Sequence, residues 1–112
     1  MSHKFLLMLV LIAANPLPVA LAHHSFSAQY NAAKPLTLRG SVGRVDWVNP
    51  HAWIHLRVGK VLWRVETGSP GVLLREGFTK ETLVPGTPVI IEGYPAKSGE
   101  RKLMSIRIRL AL

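Results

Sequence analysis

Eight residues leave this chain little choice locally. Between Asn49-Pro50 and Gly59-Lys60, Ala52, Ile54, Leu56 and Val58 alternate with His51, Trp53, His55 and Arg57. A strict two-residue period places one set on each face of an extended strand, and a helix would scatter both. Gly59-Lys60 fits a two-residue hairpin turn. After it Val61, Trp63 and Val65 alternate with Leu62, Arg64 and Glu66, so two antiparallel strands are expected side by side.

The same reading extends in both directions. Upstream, Leu36, Leu38, Gly40 and Val42 alternate with Thr37, Arg39 and Ser41, and then the apolar phase moves to Val45 and Trp47. A change of phase needs one extra residue, which predicts a bulge near Gly43 in a long, bent first strand. Downstream, Ser69-Pro70 starts a short helix, with serine capping and proline at the first helical position. Gly77 suits its left-handed end, and Thr79 to Leu83 can add one more turn. Val84-Pro85-Gly86-Thr87 has the composition of a type II turn. Val89, Ile91 and Gly93 mark a fourth strand. Ser98-Gly99 turns the chain in a loop carrying Lys97, Arg101 and Lys102. Met104, Ile106, Ile108 and Leu110 alternate with Ser105, Arg107 and Arg109 in a fifth strand, and are expected to share its inner face.

Three strands, a short helix and two strands is the order of a mainly β, five-stranded OB-like barrel with its helix between strands 3 and 4. An open antiparallel sheet with one helix on it has the same element order. Closure is favoured because all five strands offer an apolar set, and because this chain has no cysteine to staple a small fold. The barrel domain is expected over residues 36–112, preceded by an extended arm at residues 23–35.

Residues 1–22 have the features of a cleavable secretory leader. Lys4 supplies a positive start, and residues 5–14 (FLLMLVLIAA) form a ten-residue apolar run. That run is shorter than the about 20 residues a spanning helix needs. Asn15, Pro16 and Pro18 break it, and Ala20-Leu21-Ala22 matches a peptidase site. Cleavage would leave a 90-residue chain starting at His23, with 13 basic and 6 acidic residues and a net charge of +7. An exported product is expected, with the periplasm as its compartment. The charge favours anionic neighbours, but for an exported protein a solvated basic surface is the favoured account of it.

Cleavage after Ala22 would give His23 both a free α-amine and an imidazole. These two nitrogens can chelate one ion, and a third nitrogen from His24 or His51 would complete a set that suits copper(II) or another divalent metal. His51 and His55 cannot share an ion unaided. Four residues along a strand separate them by about 13 Å, against the ~4 Å that two ligands at Zn–N distances can span. The plainer roles are a solvated terminus for His23 and His24, a turn residue for His51 and a half-exposed strand residue for His55.

Several phrases are specific. They are HHSF at residues 23–26, GSVGRVDWVNPHAWIHL at 40–56, WRVETGSP at 63–70, LLREGFTKETLVPG at 73–86 and IEGYPAKSG at 91–99. Together they resemble a family of small exported bacterial proteins known as domain of unknown function 6152. The resemblance covers essentially the whole chain after the leader. Its one departure is the short Val58-Gly59-Lys60-Val61 hairpin, which other members lengthen. It implies export and a small β-barrel, and it implies no activity.

A second candidate surface lies across strands 2 and 3, where OB barrels commonly hold ligands. It would show Trp53, His55, Arg57 and Arg64, with Trp47 beside them and Asn49, Lys97, Arg101 and Lys102 on flanking loops. A stacking ring with several cations can hold an anionic or glycan ligand. Single-stranded nucleic acid needs more stacking rings than this. The plainer account is that Trp53 pairs across the strands with Arg64 and covers the sheet. A third possibility is a protein-interaction subunit that docks a partner on the same face.

No catalytic motif is present. Ser69 in Gly68-Ser69-Pro70-Gly71 lacks the G-x-S-x-G pattern, and capping explains it. Glu66 beside Arg64 is expected as a surface ion pair, and Asp46 is expected to sit outward next to Arg44 on the strand edge. No carboxylate pair can be placed at the spacing acid–base chemistry requires. The sequence therefore leads to an exported, non-catalytic binding protein.

Overall fold

The computed structural model describes residues 26–112. The leader read at residues 1–22, and His23 and His24, lie outside the described residues. Five strands, β1 (Leu36–Asp46), β2 (Trp53–Val58), β3 (Val61–Glu66), β4 (Pro88–Pro95) and β5 (Lys102–Leu110), close in the order β1-β2-β3-β5-β4. Every neighbouring pair is antiparallel except β3 with β5. Closure depends on the eleven residues of β1, which pair with β4 through the first part of the strand and with β2 through the second. This is OB-like wiring.

The bulge falls where the phase change put it. Val42 pairs with Leu56 and Arg44 with His55, so Gly43 is the extra residue. At the β2–β3 turn Val58 pairs with Val61, and Gly59 takes a φ of +60°, a value that favours glycine over any side chain.

The core follows the predicted inner faces of β1 to β4. Ile54, Leu56, Val65, Val89 and Ile91 are fully buried, and Leu38 and Val42 join them. Burying one such side chain contributes about 1.5–3 kcal/mol. The short helix Pro70–Arg75 adds Leu73 to the same core. Ser69 Oγ accepts from the Val72 amide at 3.2 Å. At the other end the Gly77 amide donates to Leu74 O (3.0 Å) and the Phe78 amide to Leu73 O (2.8 Å), the paired bonds of a Schellman stop. Thr79 starts one further turn, closed by the Leu83 amide on Thr79 O at 3.0 Å.

Strand β5 departs from the expected pattern. Glu92 pairs with Arg107 but Gly93 with Ser105, so Ile106 is an extra residue bulged out of the ladder. It is 52% exposed, and Leu110 is also exposed. Leu103 and Ile108 face the core instead. The inner set is odd before the bulge and even after it, which a single alternation over residues 104–110 cannot represent.

The described part of the arm is not extended. Residues 26–29 are helical, and Tyr30 forms a bridge with Ala96. The Asn31 amide donates to Pro95 O (2.9 Å) and the Lys97 amide to Gln29 O (2.8 Å). The Phe26 ring lies 5.8 Å from Tyr30 and 5.7 Å, edge-on, from Tyr94. The arm is thus docked on the β4–β5 corner, and Tyr30 is 2% exposed.

Candidate functional site

His51 enters the barrel surface from the turn after Asn49-Pro50. Its Nδ1 lies 2.8 Å from the Thr67 carbonyl oxygen. A carbonyl only accepts, so Nδ1 carries the proton and the Nε2 lone pair is left available. Nε2 stands 4.0 Å from Glu66 Oε1. The Thr67 backbone is itself fixed, its amide donating to Ala52 O at 3.0 Å and its hydroxyl to Gly68 O at 2.8 Å. A histidine whose second nitrogen donates to a backbone carbonyl has the arrangement in which metal-bound histidines are held.

Glu66 links this histidine to the arm. Its Oε2 accepts from the Tyr30 hydroxyl at 2.5 Å, and its side chain is only 14% exposed. Burial, then the hydrogen bond to Glu66, pushes the Tyr30 phenol well above its ordinary pKa. Lys102 Nζ lies 5.4 Å from the Tyr30 ring centre. The ion pair expected between Glu66 and Arg64 does not form. Arg64 turns instead over the Trp53 ring, 4.6 Å from its centre.

Trp53 and Arg64 therefore meet as the cross-strand cover of the sheet, and one face of the indole is taken. Arg101 is close in the chain path, since the Arg64 amide donates to Arg101 O at 2.9 Å. Lys97 is exposed in the same loop, next to the arm. Arg57 stands apart from this group. It lies four residues along β2 from Trp53, about 13 Å away. Trp47 does not belong to the face either, since it packs against the core.

Arg57 instead neighbours a cluster built on β1 and β2. His55 Nε2 is 2.8 Å from Asp46 Oδ2, and Arg44 Nε donates to Asp46 Oδ1 at 3.1 Å. The His55 hydrogen bond is the largest influence holding the Asp46 carboxyl below its ordinary pKa. The sequence placed Asp46 next to Arg44 on the strand edge, but neither the ion pair between them nor the bond to His55 was read from it. Tyr30 and Glu66 were missed as partners because they are 36 residues apart.

Among the described residues no three histidine, aspartate or glutamate side chains converge so as to hold a metal ion, and no helix is long and apolar enough to cross a membrane. His51 and Glu66 could supply two ligands to one ion, and any further ligand has to come from elsewhere. A comparison with curated proteins finds no match. The sequence profile of a family of unknown function, DUF6152, matches residues 10–105 of the 112, and the chain belongs to that family.

Proposed function

We propose that this chain is an exported, non-catalytic binding protein that holds a divalent metal ion, copper(II) foremost, at the corner where Glu66 stands between His51 and Tyr30 of the N-terminal arm. The ligands are the α-amine and imidazole of His23, exposed by cleavage after Ala22, with His24 and His51. Glu66 Oε1 is available as an oxygen ligand. The periplasm is the compartment this reading requires.

The observation that carries it is the position of His51 beside Glu66. Its Nδ1 is fixed by the Thr67 carbonyl, and Nε2 faces a carboxylate oxygen 4.0 Å away. That separation suits two ligands on opposite sides of one ion with metal–ligand distances near 2 Å. Support also comes from the arm, whose Tyr30 bonds the same carboxylate only a few residues after His23 and His24. Nitrogen ligands and a mixed N,O set both suit copper(II).

Calorimetric titration of copper(II) into protein beginning at His23 tests the proposal. Micromolar or tighter binding is expected, and one additional residue ahead of His23 should weaken it at least tenfold. Equal affinity of the two forms would show that the terminal amine is not a ligand.

A further inference from the structure

We infer that the outer face of β1 and β2 carries a second, independent site, one for a small phosphate-type oxyanion, in the depression between Arg44 and Arg57. The depression holds about 200 Å³ and is lined by Gly43, Arg44, His55, Arg57 and Leu62. The fold makes it in a simple way. The β1 bulge puts a glycine where a side chain would stand, and a Cβ at Gly43 would lie 3.1 Å from the His55 carbonyl oxygen. Arg44 pairs with His55 across β1–β2, and Arg57 lies two residues along on the same face of β2. Leu62, opposite Arg57 on β3 and 48% exposed, supplies an apolar wall.

The hydrogen-bond pattern leaves donors unspent. His55 Nε2 is 2.8 Å from Asp46 Oδ2 and 3.2 Å from Arg44 Nη2. One ring nitrogen cannot donate to the carboxylate and accept from the guanidinium together. The shorter contact, to a carboxylate that only accepts, takes the proton. Arg44 Nη2 therefore has no acceptor in His55, and only its Nε is spent, on Asp46. The Arg57 side chain, unlike its backbone in the ladders with β1 and β3, makes no hydrogen bond or ion pair with any described residue. Asp46 has one oxygen on Arg44 and the other on His55, so it fixes the two side chains that line the depression. Two guanidinium groups with free N–H donors around a concave site match a tetrahedral oxyanion. A phosphate could arrive as a free phosphorylated molecule or as a lipid headgroup, and the chemistry recognised is the same.

Backbone amide NMR of the intact protein, titrated with inorganic phosphate, tests the site, with sedimentation on phosphatidylglycerol vesicles as a second arm. The expected result is saturable shifts at Gly43, Arg44, His55 and Arg57, weakened at least tenfold by Arg57→Gln and also by Arg44→Gln. Vesicle binding lost in both variants would assign a lipid headgroup as the source, and phosphate binding without vesicle binding would assign a free ligand. Absence of saturable phosphate shifts, or shifts that both variants retain at full affinity, would overturn the inference. Because copper is absent from the assay, failure here leaves the metal proposal standing, and the reverse also holds.

Discussion

The Tyr30 hydroxyl donates to Glu66 Oε2 at 2.5 Å and so ties the N-terminal arm to the end of β3. Because the same carboxylate faces His51, the bond also fixes the geometry of the candidate metal corner. Replacing Tyr30 by Phe leaves the ring packed but removes the donor. A charge-assisted bond of this kind contributes about 1.5–3 kcal/mol, and the variant should lose that much in urea unfolding at neutral pH.

Alkaline pH tests the same bond with a definite sign. The folded protein holds the Tyr30 proton above the ordinary phenol pKa of 10.0, first through burial and then through Glu66. Above pH 10 the unfolded chain therefore binds fewer protons than the folded one, and stability falls as pH rises through the folded pKa. The contribution is fully present below pH 10. Unfolding free energies measured from neutral pH upward should show this decline in the wild type and a smaller one in Tyr30→Phe. Parallel curves would mean that Tyr30 ionises as it does in the unfolded chain.

The β5 bulge predicts opposite outcomes for two neighbouring aliphatic residues. Leu103 is fully buried, and Leu103→Ala should cost about 2–5 kcal/mol. Ile106 is bulged outward, and Ile106→Ser should change stability by no more than about 0.5 kcal/mol. Thermal denaturation of the two variants checks both. A large loss for Ile106→Ser with little loss for Leu103→Ala would restore the single alternation that the sequence suggests.

Gly93 offers a test of barrel closure. A Cβ there would sit 2.2 Å from Met104 O and 2.9 Å from Leu103 Cγ. The backbones of β4 and β5 approach at this point only because the side chain is missing. Gly93→Ala should destabilise the fold by more than about 2 kcal/mol, as read from its urea midpoint against wild type.

Much of the barrel can be read from periodicity. The β2–β3 hairpin, the Gly43 bulge and the Ser69 cap each leave a local mark: a two-residue period, a phase change, and a serine–proline pair. The β5 bulge leaves no such mark, because Met104, Ile106, Ile108 and Leu110 alternate without a break and the register is set by pairing with β4. The docked arm had a signal that went unused. Phe26 and Tyr30 are four apart, the spacing of neighbours on a helix. The contact between His51 and Glu66 follows from the β2–β3 hairpin, whose register pairs Trp53 with Glu66, whereas the bond between Tyr30 and Glu66 depends on the arm docking 36 residues away in the chain. Arg64 shows a further limit. Charge alone suggested a bond to Glu66, but the indole of Trp53 competes for the guanidinium, and Tyr30 takes the carboxylate.

Electron paramagnetic resonance of the copper(II)-loaded protein beginning at His23 addresses the metal proposal most directly, comparing wild type with His51→Gln. Nitrogen hyperfine structure is expected to lose one imidazole in the variant while the terminal amine and His23 remain bound. Identical spectra from the two proteins would remove His51 from the coordination sphere and contradict the site.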